Sequence, residues 1–483
     1  MDAETLKSFL PEFTRFVGRF ADCFCDHRCR EHLPVYLRGQ LSNLDRKSVE
    51  PIAVASGVAV RTLQEFLALL SWDHERMLDR LQRIVAAEHA GPGSVGLLDE
   101  TSFVKKGTKT PGVQRQWCGT LGKVDNCVVT VHLGYTRGDF QCLLDGDLFL
   151  PESWDADRDR CAAAGIPESV VYRPKWRIAL EQYDRAVANG VRFDWLTFDE
   201  GYGGKPEFLK ELTSRGQSWV AEVPKSVCGW LVRPRVTERP HRTNRRGRPR
   251  TKPRLVGGQP PARRADELLE RHPLLRDVPW TQYRLDDRRK GPSVWEVKHV
   301  RFHPKSDGGL PGEAEHLLVA RHALQDADVK YFRSNAPERT PTATLLRVAL
   351  TRHRVERCFQ DQKSELGLDH YEGRTYTGLM RHLYLTLVSY LFAMRAVEVR
   401  RGEKPGVDGA AGASGGRRAG GREVAGRMRF KEGTGATGGR GGVSPDPKPP
   451  GPEIPRETDA KAAAGTRHST HQDGTMPAAE LAL

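Results

Sequence analysis

VGLLDETSFV, residues 95–104, and FDWLTFDEGYG, residues 193–203, decide the fold. In each, a short apolar run, Val95–Leu98 or Phe193–Phe198, closes on an aspartate, Asp99 or Asp199. Runs this short, the first set off by the breaker Gly91-Pro92-Gly93, read as buried strands. CVVTVHLGY, 127–135, is rich in β-branched residues and reads as another strand, as does Ser218–Val223. Helical patterns cover Pro167–Asn189 and Phe208–Arg215. This alternation predicts an α/β layer arrangement. Such sheets place their chemistry just beyond the carboxyl ends of strands.

A third acid belongs with the two aspartates. Glu356 lies in RHRVERCFQDQKSELGLDHYEGR, which starts at Arg352, within a helical segment expected from Ala343 to Leu366; a second helix is expected from Gly378 to Val399. Two strand-borne carboxylates and one helix-borne carboxylate are what a polynucleotidyl-transfer site of the RNase H-like kind requires. All-oxygen donors suit Mg²⁺ or Mn²⁺, and two such ions about 3.5–4 Å apart can activate an attacking oxygen and stabilise a leaving one. On a regular helix Arg352 lies about 40° from Glu356 and Lys363 about 20° to the same side, so the three share a face. The bland alternative is a set of solubilising acids at strand ends and a solvated helix face with ordinary i, i+4 charge pairs.

Arg352-x₃-Glu356-x₆-Lys363 resembles the R-E-K part of the signature of a large group of DDE insertion-sequence transposases. SELGLDHYEGRTYTGLMRHLYL after it is similar to insertion-sequence family 701, as are LLDETSFVKKGTKTPGVQRQWCGTLGKVDNC at 97–127, LFLPESW at 148–154 and FDEGYG at 198–203. The resemblance runs from about residue 15 to residue 398. It implies a catalytic, metal-holding triad of Asp99, Asp199 and Glu356, with Arg352 and Lys363 on DNA. It also implies cleavage at transposon ends followed by strand transfer to target DNA, by a homodimer in a DNA-bound synaptic complex. Ala349 stands where the group often has Tyr, and the tail after about residue 400 has no counterpart.

The rest of the chain fits around this core. Lys plus Arg number 76 against 62 acids, a net charge of +14, which points to a polyanionic partner, nucleic acid or an acidic membrane surface. Residues 1–90 read as a helical domain, with apolar spacing from Leu6 to Phe20 and from Thr62 to Ile84; it suits DNA binding, as helical bundles suit many other tasks. The core is expected at 91–223 and 340–399, interrupted at 224–339 by a strand-rich insertion. Within that insertion Arg233–Arg254 holds ten Arg or Lys residues, one acid and four prolines. Arg245, Arg246, Arg248 and Arg250 there read as a minor-groove hook or a solvated phosphate-binding loop. Lys105 and Lys106 open a glycine-lysine stretch, either a basic connection along the DNA backbone or a plain hairpin; it lacks the order of a nucleotide loop. Trp280 and Trp295 pack in the core or stack on a base. Cys23, Cys25, His27 and Cys29 have the wrong spacing for a zinc finger. Nine scattered cysteines fit reduced thiols. No apolar run is long enough to span a membrane, and a cytoplasmic, nucleoid-associated protein is expected. Residues 400–483 are rich in Gly, Pro, Ala and Arg, and disorder is expected there. The alternative from another class is a noncatalytic DNA-binding protein derived from a transposase.

Overall fold

The computed structural model describes residues 10–237, 252–287, 291–306, 308–324, 329–400 and 402, all within one compact unit, Met1–Ala411. The arginine run at 245–250 lies outside these residues, as does the tail from 403 onward.

The sheet begins as the apolar runs predict. β1 (Val95–Val104) is followed by β2 (Gln114–Cys118), β3 (Lys123–Arg137) and β4 (Phe140–Leu148). β3 is the long scaffold strand. Its β-branched stretch Val128–Val131 is buried, its first half pairs with β2 and its second half with β4. Antiparallel to its stretch Cys127–Thr136 runs β1. Two parallel strands complete this half, β5 (Trp195–Phe198) beside β1 and β6 (Trp219–Val223) beside β5. The local order is therefore β4, β3, β1, β5, β6. Asp99 does not close its strand, because pairing with β3 carries β1 five residues further, to Val104.

Small helices fill the connections: α7 (Glu152–Asp155), α8 (Arg158–Ala163), α9 (Lys175–Ala188), α10 (Glu200–Gly203) and α11 (Pro206–Ser214). Helix α9 starts only at Lys175, since Pro174 cannot donate within a helix and biases Arg173 away from helical geometry.

The insertion continues the same sheet. Its strands are β7 (Cys228–Trp230), β8 (Val236–Thr237), β9 (Arg254–Leu255), β10 (Arg263–Arg264), β11 (Thr281–Asp287), β12 (Gly291–Pro304), β13 (Glu315–His322) and β14 (Lys330–Ser334), with α12 (Ala265–Arg271) and α13 (Pro273–Arg276) between β10 and β11. β14 pairs antiparallel with β6, so the edge that β6 would expose is covered; β8 and β9 form a separate ribbon.

The N-terminal region is helical: α1 (Leu10–Gly18), α2 (His27–Arg30), α3 (His32–Leu41), α4 (Val49–Ser56), α5 (Val60–Ala68) and α6 (His74–His89). The apolar pattern from Thr62 to Ile84 is two helices. Asp73 caps α6 by accepting from the Arg76 amide, and Trp72 turns inward to donate to the Phe66 carbonyl.

The expected helix from Ala343 to Leu366 is α14 (Thr342–Thr351), α15 (His353–Asp361) and a π turn at Gln362–Leu366. The last helix, α16 (Tyr376–Arg400), is buried on most of its surface. Gln40 of α3 bonds Thr386 and Ser389, and Arg381 donates to the carbonyls of Phe66, Leu67 and Trp72. These contacts fasten the N-terminal helices to the sheet through α16. No described helix is long and apolar enough to cross a membrane.

Candidate active site

Leu98, Phe198 and Ala221 sit side by side on β1, β5 and β6. One residue further on each run come Asp99, Asp199 and Glu222. In-register neighbours on parallel strands lie about 4.8 Å apart and share a face, so the three acids fall at one level of the sheet, Asp199 just past the end of β5 and Asp99 and Glu222 within β1 and β6. Alternation sends Glu100 to the other face. There it pairs with Lys175 of α9 and accepts from the Tyr202 hydroxyl, while Asp99 meets Arg352 between α14 and α15.

Asp199 ends β5 for a local reason. It is the N-cap of α10, and its Oδ1 accepts from the amides of Gly201 (3.0 Å) and Tyr202 (3.3 Å). No hydrogen bond to Oδ2 is present among the described residues. Gly203 makes the tight return possible: a Cβ there would lie 1.9 Å from the Glu222 carbonyl oxygen.

Arg352 gathers the acids. Its guanidinium is 3.2 Å from Asp99, 3.1 Å from Glu356 and 3.7 Å from Glu222. Burial opposes its charge, yet Asp99, Glu356 and Glu222 hold its pKa above the usual arginine value. Asp99 is pushed up to about 7, first by burial and then by the charge of Asp199, with Arg352 pulling the other way. The Glu356 side chain is 57% exposed and meets the others through the same guanidinium. Glu222 also accepts from Lys330 of β14. It was not singled out in the sequence, although an acid inside the apolar run WVAEV was a readable signal.

The other expected contacts are placed differently. Lys363 falls on the π turn that follows α15. Its ammonium donates to the Ser102 carbonyl and the Thr120 hydroxyl, and burial lowers its pKa. Lys105 donates to the carbonyls of Asp369 and Tyr371, and burial brings it down to about 8. Lys106 is exposed. Trp280 carries Arg321 over its ring at 4.3 Å, and Trp295 donates to Ser293. Cys23 and Cys29 are buried.

Residues 19–292 match the sequence family described as DDE superfamily endonuclease. The chain belongs to that family. The match spans more than half of the chain and includes Asp99, Asp199 and Glu222; Arg352 and Glu356 lie beyond it. This DDE endonuclease family member is also 29% identical over 226 residues to a protein of Microchaete diplosiphon named probable transposase for insertion sequence element IS701. That similarity covers 46% of this chain and 55% of the relative, so the chain spans about half the length of the curated relative it matches.

The donors in the site are all carboxylate oxygens, with more negative charge than Arg352 alone can balance. That chemistry fits a hard divalent cation. Among the described residues no three His, Cys, Asp or Glu side chains are already gathered as a ligand set; the guanidinium of Arg352 stands between Asp99 and Glu356.

Proposed function

We propose that the chain is a DNA transposase that cleaves double-stranded DNA at transposon ends and joins the freed end to target DNA. The observation that carries this reading is the adjacency of Asp99 and Asp199 on the neighbouring central strands β1 and β5, with Glu356 tied to Asp99 by Arg352. The order β4, β3, β1, β5, β6, with three antiparallel strands and two parallel ones, supports an RNase H-like core for residues 91–223 and 340–399.

Asp99, Asp199 and Glu356 would hold Mg²⁺ or Mn²⁺. When bound there, the ions supply activation of the attacking oxygen and stabilisation of the leaving one. Asp199 keeps Oδ2 directed away from its capping bonds, and Asp99 is desolvated and repelled by Asp199, so both gain by accepting a cation. Water first attacks the phosphodiester at the element end and frees a 3′-hydroxyl. That hydroxyl then attacks a target phosphodiester. Arg352, exposed cations and the basic insertion would hold phosphates, and a homodimer would bring two ends together.

The alternative is a noncatalytic DNA-binding protein derived from a transposase. Both readings meet in one assay with duplexes taken from the DNA that flanks the gene, where an element end would lie. Cleavage and joining with Mg²⁺ or Mn²⁺, lost in excess EDTA, is the expected result. Binding without cutting, under conditions in which a related transposase cuts its own ends, would leave the binding-only reading standing.

A further inference from the structure

The hairpin of β2 and β3 presents an apolar face to solvent. Trp117 is 62% exposed and lies directly across from Val124, which is 53% exposed. Leu121, 44% exposed, sits in the turn between them. Paired residues on antiparallel strands point to the same side, so Trp117 and Val124 form one surface with Leu121 at its tip. Scattered exposed apolar side chains are ordinary; a Trp facing a Val across a tight hairpin is a patch that something covers.

The surroundings of this patch are basic. Arg115 is two residues from Trp117 on the same strand, hence on the same face, and is exposed. Asn126, on that face of β3, donates to the carbonyls of Lys105 and Gly107 and so holds the loop bearing exposed Lys106 against it. Arg115, Lys106 and Lys109 form no ion pair among the described residues. Asp125 on the same hairpin pairs with Lys123 at 3.2 Å, and apolar side chains beside exposed cations suit a polyanion whose interior is flat and apolar.

The hairpin is also held close to the proposed catalytic row. Thr120, in its turn, donates through its hydroxyl to the Ser102 carbonyl (2.7 Å) and accepts from Lys363 (2.8 Å). Ser102 is three residues along β1 from Asp99, about 10 Å at the rise of a strand.

We propose that this hairpin is a DNA-contacting wedge, in which Trp117, Leu121 and Val124 press against bases or sugars flanking the bond that is cut, while Lys106, Lys109 and Arg115 hold the neighbouring phosphates. The proposal rests on the reading of the chain as a DNA-cutting enzyme and goes beyond it, since it assigns an interface to residues outside the triad. Apolar side chains that enter a groove unstack neighbouring bases. Contacts of an aromatic ring with a base are worth about a tenfold change in affinity or more.

The test uses the full chain and the end duplex, with 2-aminopurine placed at successive positions around the cleavage point. The wild type is expected to brighten the probe at a fixed position flanking that point. Trp117→Ala should remove the brightening and weaken binding about tenfold, and Trp117→Phe should restore part of both. Lys106→Ala and Arg115→Ala should each lower the salt dependence of binding by about one counterion. Wild-type binding with unchanged probe brightness and affinity in Trp117→Ala would overturn the wedge but leave the DNA-cutting reading intact. So would a change confined to oligomeric state, because a second copy of the chain would then cover the patch. A wild type that binds no end DNA would remove the underlying reading and the wedge with it.

Discussion

Arg352 is the residue on which the site turns. It balances Asp99, Glu222 and Glu356 at once from a largely buried position. Replacing it with Leu should destabilise the protein by about 2–3 kcal/mol, because buried carboxylates lose their counter-charge. The check is chemical denaturation of Arg352→Leu beside wild type at neutral pH; an unchanged midpoint would contradict the ion-pair geometry. Glu222 acts on a smaller scale by linking Arg352 to Lys330 of β14. Glu222→Gln should lower cleavage while leaving the fold intact, and Glu222→Asp should recover less than wild type because it is one methylene shorter. Comparing cleavage rates of the two variants with their circular dichroism tests this.

At the scale of elements, the short helix α10 places Asp199, and Gly203 permits its close approach to β6. Gly203→Ala should force the two apart, at a cost of about 1–3 kcal/mol, and should lower cleavage far more than DNA binding. Thermal unfolding and cleavage measured together read both effects; a variant as stable and active as wild type would contradict the packing described.

Much of this was legible before any coordinates. β5 and β6 follow from their apolar runs, and the strands of 224–339 from the strand-rich character expected there. Three features were not legible, for physical reasons. The extension of β1 past Asp99 depends on β3, a partner that a local pattern does not contain. The break at Trp72 and Asp73 depends on a cap and a buried indole inside a helical periodicity. The π turn at Gln362–Leu366 departs from regular helix, and a uniform 100° rotation has no way to register that. The burial of Lys105 and Lys363 was hidden too, because their carbonyl partners come from distant segments.

Over the whole molecule, the N-terminal helices and the sheet share a buried polar seam. Asp145 of β4 is fully enclosed, accepts from Gln82 of α6 and is pushed up to about 7 by burial. Its unfolded value is near 4, so the folded state holds the proton more tightly across the interval between. Stability from this group is therefore present at about pH 4 and falls as pH rises toward 7, by up to about 4 kcal/mol. Asp145→Asn should flatten that slope, which denaturation at a series of pH values between these limits would show; an unchanged slope would mean that Asp145 is charged in the folded protein.

The central claim, that Asp99, Asp199 and Glu356 form one catalytic site, is tested most directly by Asp199→Ala. Removing this carboxylate takes away a proposed cation ligand and leaves the basic surfaces in place. With the same end-bearing duplex, cleavage and binding are measured across a salt series in Mg²⁺ or Mn²⁺. The account predicts no detectable strand cleavage and end binding equal to or tighter than that of wild type, since a negative charge near the phosphates is gone. Cleavage by Asp199→Ala at the wild-type rate would contradict it.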